Sequence, residues 1–202
     1  MPFAGTQEDA HHLIPLPWVV RRTRLPPLAL RCVACPSGRA TVGRGRFRVN
    51  ANGKRLDVWL LVNCVSCDRT GKLTVHERVP VRALPAGLLA GYVGDSPPLV
   101  ADTLLDPLIA RRNRYALDWD GCWELRAHPV PAHPWPLRIA VAFDDPVPLR
   151  PERLIAQGLG ISRAELARRV KSDVPLRRTR TRSFSFLLLG PGGGRTEQAA
   201  AR

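Results

Sequence analysis

Cys32-Val33-Ala34-Cys35 and Cys64-Val65-Ser66-Cys67 bracket a 28-residue segment centred on Arg46-Phe47-Arg48-Val49-Asn50-Ala51-Asn52-Gly53-Lys54-Arg55-Leu56-Asp57-Val58-Trp59-Leu60. Two Cys-x-x-Cys pairs at this separation present four thiolates to one ion, most often zinc in a tetrahedral site. Between the pairs, polar and apolar residues alternate on both sides of Asn52-Gly53, the strongest two-residue hairpin signal. A turn at Asn52-Gly53 pairs Val49 with Leu56 and Phe47 with Val58, so one face is apolar. The same register sets Arg48 opposite Asp57 and Arg46 opposite Trp59, an ion pair and a cation–π contact on the other face. The return strand ends at Cys64, which carries the second cysteine pair back to the first. Leu73, Val75, Val79 and Val81 extend the pattern into a third antiparallel strand, which Glu77 marks as bent or at an edge.

The stretch therefore predicts a zinc ribbon holding one structural zinc ion through Cys32, Cys35, Cys64 and Cys67. Four thiolates leave no open position for water, so the metal folds the chain rather than catalysing a reaction. Two other readings stay open: a rubredoxin-like iron site and a redox dithiol. Against the first, Pro36 and Asp68 follow the second cysteine of each pair, where rubredoxin knuckles usually have glycine. Against the second, a redox dithiol needs only one pair at a helix N-terminus. The fifth cysteine, Cys122, reads as a small buried hydrophobe.

Charge is the second signal. The 202 residues carry a net charge of +14, and all but Lys54, Lys72 and Lys171 of the basic residues are arginine. Arginine abundance alone can reflect a GC-rich coding sequence, but its distribution is segregated. Residues 18–82 carry 14 basic and 3 acidic side chains, residues 83–148 carry 5 and 8, and residues 149–202 carry 12 and 4. Two basic lobes flanking an acidic middle fit a polyanion partner. No apolar run reaches the roughly 18–20 residues of a membrane span. Glu8 and Asp9 stand where a signal peptide would be positive, so a cytoplasmic location is expected.

The fold expected is α+β. Residues 1–17 read as a loose arm and 18–82 as the ribbon. Residues 83–148 read as an α+β middle with helices at 84–92 and 97–112, a hairpin turning at Asp120-Gly121, and a strand from Leu137 to Phe143. Residues 149–189 read as a helical hairpin with a strand, and 190–202 as a flexible tail. In the hairpin, Pro151 opens the first helix and Gly158 and Gly160 stop it. Ser162-x-x-Glu165 caps the second. Arg177, Arg178, Arg180 and Arg182 alternate along the segment that follows.

Phe47 to Leu60 between the cysteine pairs, with Glu77-Arg78 after them, resembles the bacterial family labelled domain of unknown function 1062, which implies no established activity. Arg153-Leu-Ile-x-x-Gly-Leu-Gly-Ile-Ser162-Arg-x-Glu-Leu-x-Arg-Arg-Val170 is similar to the αL RNA-binding module of ribosomal protein S-four and pseudouridine synthases. That resemblance implies RNA held by basic side chains around the second helix, here Arg163, Arg168, Arg169 and Lys171. After Lys171 the sequence departs from the module, with Ser172-Asp-Val-Pro-Leu176 in place of its glycine turn and strand.

The expected function is binding of structured RNA, ribosomal or transfer, with a zinc-stabilised protein-interaction or DNA-binding regulator as the alternative. The candidate contacts are Arg44, Arg46, Arg48 and Trp59 on the hairpin, Arg163, Arg168, Arg169 and Lys171 on the second helix, and Arg177, Arg178, Arg180 and Arg182 beyond it. Trp59 fits a base-stacking surface, although a core position is the first reading of a tryptophan there. RNA is favoured over DNA because no recognition helix carries base-reading Asn or Gln, though 151–171 also fits a helix-turn-helix. The balance is against an enzyme, and no catalytic residue or small-molecule substrate is assigned. The histidines pair with no cysteine or Ser/Asp set, Asp144-Asp145 point to opposite faces, and Gly192–Gly194 lack the Lys-Ser/Thr of a phosphate loop.

Overall fold

The computed structural model describes residues 15–131 and 135–190. The expected flexible tail, except Gly190, and all but the last residues of the expected arm lie outside them. In chain order the first strands are β1 (Leu16–Arg22), β2 (Leu28–Ala29), β3 (Arg39–Asn52), β4 (Arg55–Cys64) and β5 (Thr70–Pro80). Next come α1 (Ala86–Val93), α2 (Pro97–Leu105), α3 (Pro107–Asn113), β6 (Ala116–Leu117), β7 (Trp123–Ala127) and β8 (Leu137–Phe143). The last elements are α4 (Pro151–Leu159), α5 (Arg163–Arg169), β9 (Val170–Ser172) and β10 (Phe184–Leu188).

These form a mixed α+β structure with two five-stranded sheets, ordered β5-β4-β3-β2-β6 and β7-β1-β8-β10-β9. The chain divides into an inserted unit, Arg24–Cys122, and a split unit made of Met1–Thr23 and Trp123–Arg202. This moves the boundaries expected at 82/83 and 148/149. β1 is not part of the ribbon: it lies between β7 and β8, antiparallel to the first and parallel to the second. Such pairing between distant segments leaves no local trace. Asp120-Gly121 does turn, with Gly121 at φ +64, but it closes no hairpin. β6 on one side pairs with β2, and β7 on the other pairs with β1.

In the inserted unit the hairpin forms with a register two residues from the one expected. The turn is Gly53-Lys54, so Val49 faces Val58, Phe47 faces Leu60, Arg48 faces Trp59 and Asn50 faces Asp57. Gly53 has φ +59 and Lys54 is not among the positive-φ residues, the pattern of a turn with glycine at its first central position. Because side chains alternate with a period of two, this shift keeps every residue on its expected face. The expected Arg48–Asp57 pair does not form; Asp57 accepts from the Arg78 N–H at 2.8 Å instead.

The buried face carries Val58, Leu60 and Val62 of β4 with Leu73 and Val75 of β5, and is covered by Tyr92, Val100 and Leu104 of α1 and α2. Residues 42–45 form a wide bulge between the Thr41–Asn63 and Arg46–Leu61 pairs. Gly45, at φ +72, would place a Cβ 3.0 Å from Val100 Cγ1, so the bulge is also where β3 meets α2. β5 is an edge strand, as Glu77 implied. Asn113 of α3 caps that edge: its side chain accepts from Thr74 N at 2.7 Å and donates to Thr74 O at 3.0 Å. The helix expected at 97–112 is two helices, because Pro107 opens a new one and Asp106 caps it, accepting from Leu108 N at 2.7 Å.

In the split unit, Trp18 is fully buried and meets Phe186 edge-on at 5.5 Å. Pro151 opens α4, and Gly160 at φ +65 ends it. Gly158 does not stop the helix as expected. It lies inside it, where a Cβ would fall 2.6 Å from the Trp18 ring. The Ser162 cap forms, its Oγ accepting from Glu165 N at 3.2 Å. Arg177–Arg182 is a turn-rich connection rather than an alternating strand, fixed by two backbone hydrogen bonds between Leu149 and Arg180.

Candidate metal centre and nucleic-acid interface

The pairing of Ala40 with Cys64 puts the second cysteine pair beside the start of β3, just after the first pair. Two tight turns then aim all four sulfurs inward. In the first, Cys32 N donates to Ser37 O at 2.8 Å and Ala34 N points at Cys32 Sγ at 3.4 Å. In the second, Asp68 N donates to Cys64 O at 3.0 Å and Ser66 N points at Cys64 Sγ at 3.5 Å. Asp68 takes φ +54 to close that turn, and the Asn63 side chain donates to it at 3.0 Å. Val65 N joins the two turns through Arg39 O at 3.2 Å.

Cys32 Sγ and Cys67 Sγ are 3.7 Å apart, Cys35 Sγ and Cys64 Sγ are 3.5 Å apart, and all four lie within 4.8 Å of one another. An ion with about 2.3 Å bonds to four tetrahedral sulfurs needs edges of about 3.8 Å. The cluster therefore has the size of a tetrathiolate site, and a metal ion fits it. The N–H groups of Cys67 and Ser66 pull the Cys64 thiol down to about 6. The Ala34 N–H holds Cys32 below the ordinary thiol range. Cys35 goes the other way, to about 12: the Ser37 N–H lowers it, but Cys64, burial and the other thiols together outweigh that. Cys122 is fully buried, as expected.

The helices cover one face of the inserted sheet and leave the other open. On the open face Trp59 is half-buried, not a core residue as first expected. Arg48 stands opposite it, and Lys72 Nζ lies 5.1 Å from its ring centroid. Arg46 is exposed on the same face, with Asp95 at 3.9 Å, and Arg44 is exposed on the bulge. Lys72 is the contact that sequence reasoning missed: no β4–β5 register was assigned, and the pairing of Leu61 with Lys72 places Lys72 diagonal to Trp59.

In the split unit the candidates divide. Arg168, Lys171, Arg177, Arg178 and Arg182 are exposed. Arg169 is occupied: it pairs with Glu165 at 2.7 Å, donates to Leu189 O at 3.3 Å and lies over Trp135 at 5.8 Å. Arg180 is half-buried in its bridge to Leu149. Arg163 sits 3.5 Å from Glu152 and lines two adjoining clefts of about 450 and 560 Å³. Arg150 lines both, Arg153 the first and Arg177 the second. Arg150 and Arg153 were not anticipated; their place at the start of a helix opening on Pro151 was the available signal.

His76 stands edge-on to Tyr92, ring centroids 5.5 Å apart. Its Nε2 is 3.0 Å from the Tyr92 hydroxyl, and burial, then Arg112, hold it below the ordinary histidine range. No helix among the described residues is long and apolar enough to cross a membrane.

Fold and site together define a two-unit α+β protein with a tetrathiol centre at the end of an open sheet. The model of the family described as protein of unknown function (DUF1062) matches residues 49–179, more than half of the chain, and the chain belongs to that family. The match includes Cys64 and Cys67 and begins after the first cysteine pair. No curated protein and no solved structure matches it.

Proposed function

We propose that this chain is a non-catalytic RNA-binding protein stapled by one zinc ion. The observation that carries the reading is the open sheet face on which Trp59 stands between Arg48 and Lys72. An aromatic on an uncovered sheet face, flanked by cations, offers an unpaired base a stacking surface and its phosphates counter-charges. Zinc is the ion favoured by four cysteine sulfurs in a closed site with turn N–H groups aimed at them. Its role is to lock the end of the sheet, in the manner of a zinc ribbon. Thiols held for metal belong in a reducing compartment, in keeping with the cytoplasmic expectation.

The helix pair α4–α5, with its Ser162 cap and exposed basic end, supports the similarity to the αL module. The clefts around Arg150, Arg163 and Arg177 give that unit a phosphate-binding surface of its own. Backbone contacts from arginine carry no sequence information, so affinity here is mostly electrostatic.

Fluorescence polarisation of a labelled RNA hairpin across a salt series tests this. The zinc-loaded chain should bind at low salt, with log K falling linearly against log salt. Trp59→Ala should weaken binding by about 1–3 kcal/mol, the worth of one stacked base, while the wild-type slope is kept. Absence of RNA affinity at low salt, or stronger binding to duplex DNA in competition, would overturn the reading.

A further inference from the structure

On the open face of the inserted sheet, strand pairing sets the side chains in rows across β3, β4 and β5. In one row Arg46 faces Leu61, and Leu61 faces Lys72. In the next, Arg48 faces Trp59, and Trp59 faces Thr74. The middle of the face is therefore an apolar strip, Trp59 and Leu61, with cations on both flanks. Two residues apart on one strand, they stand about 6.4–6.8 Å from each other. Both are partly exposed, and neither belongs to the core beneath the helices.

An apolar strip edged by cations fits a ligand with flat apolar faces and a line of anions beside them. Unpaired RNA has both, whereas a duplex stacks its base faces away and offers this strip only phosphates. Arg46 meets Asp95 only at 3.9 Å, with its side chain 75% exposed, and Arg48 is exposed, so both can turn to a phosphate. In the free chain Lys72 Nζ lies 5.1 Å from the Trp59 ring centroid. A cation–π contact at an exposed ring is worth less than a stacked base, so a base displaces it.

We propose that this strip seats one dinucleotide step of unpaired RNA, one base stacked on Trp59, its neighbour packed against Leu61, and the linking phosphate held by Arg46 and Arg48. The proposal rests on the RNA reading above and narrows its ligand to a single-stranded segment, such as a loop.

The test is an NMR titration of the zinc-loaded full chain with the dinucleotide UpU, reading the Trp59 indole and the Leu61 methyl groups. Uridine and a blunt-ended RNA duplex are the controls. UpU should shift both sets of signals and bind at least tenfold tighter than uridine, while the duplex leaves them in place. Leu61→Thr, which keeps a strand-favouring side chain, should weaken UpU at least threefold with the wild-type zinc content. The double variant Arg46→Ala, Arg48→Ala should weaken UpU at least fivefold and leave uridine within twofold. Trp59 and Leu61 signals that stay still at saturating UpU would overturn the proposal, and so would equal shifts from the duplex; both readouts use the wild-type chain. If they stay still while the RNA hairpin binds with its salt slope, only this seat falls. If the hairpin fails to bind at low salt, the RNA reading falls and takes the seat with it.

Discussion

Chelating the proposed zinc ion from Cys32, Cys35, Cys64 and Cys67 should remove a cross-link between two turns that the chain separates by 28 residues. Treated as loop closure over about 30 residues, the link is worth about 3–4 kcal/mol. Small domains are stable by only 5–15 kcal/mol in total, so this is a substantial share. The rest of the inserted unit does not depend on it directly. Val58, Leu60, Leu73 and Leu104 are at most 2% exposed and pack between sheet and helices away from the thiols. The expected result is a metal-free chain that keeps its sheet but melts earlier. At about 4–8 °C per kcal/mol for a unit of this size, the drop is on the order of 12–30 °C. Scanning calorimetry with and without chelator, beside a metal count by mass spectrometry, measures it. Hydrogen exchange should accelerate first at residues 31–39 and 64–70. A metal-free chain melting within about 5 °C of the loaded one would refute the claim that the ion holds this end of the sheet.

Other perturbations follow from the packing. Gly158→Ala would drive a Cβ to 2.6 Å from the buried Trp18 ring; overpacking of this kind costs about 1–3 kcal/mol, and denaturant melts should show a loss despite alanine's better helix propensity. Asn113→Ala would leave both Thr74 backbone groups without their partner at the β5 edge, a loss of about 1–3 kcal/mol in the same assay. His76 has its folded pKa held below the unfolded value of 6.5, so the unfolded chain takes up the proton first and stability should fall as pH drops below about 6.5. Melting His76→Gln beside the wild type between pH 7.5 and 5.5 isolates this from acid release of the metal, and parallel curves would contradict it.

Much of the inserted unit was legible because its signals are local. Cysteine spacing and alternation gave the thiol cluster and the faces of three strands, and the two-residue register error changed no face. That error arose because Asn52-Gly53 fits a turn with glycine second, while the chain places Gly53 first. It still hid the pairing of Arg48 with Trp59, while the approach of Lys72 went unread because the β4–β5 register was not assigned. What was not legible depends on distant pairing. Nothing around Trp18-Val19-Val20 announces a strand between β7 and β8, nor that residues 24–122 interrupt that sheet. Gly158 misled for a related reason: glycine in a helix reads as a stop, and only the buried ring above it shows why it is there.

The RNA-binding account is tested most directly by photo-crosslinking a 4-thiouridine-labelled RNA hairpin to the zinc-loaded chain and mapping the adducts by mass spectrometry. Adducts are expected on the peptides carrying Trp59 and Lys72, lost at high salt and in Trp59→Ala. No adduct at low salt, or adducts confined to residues outside the open sheet face and the α4–α5 clefts, would contradict it.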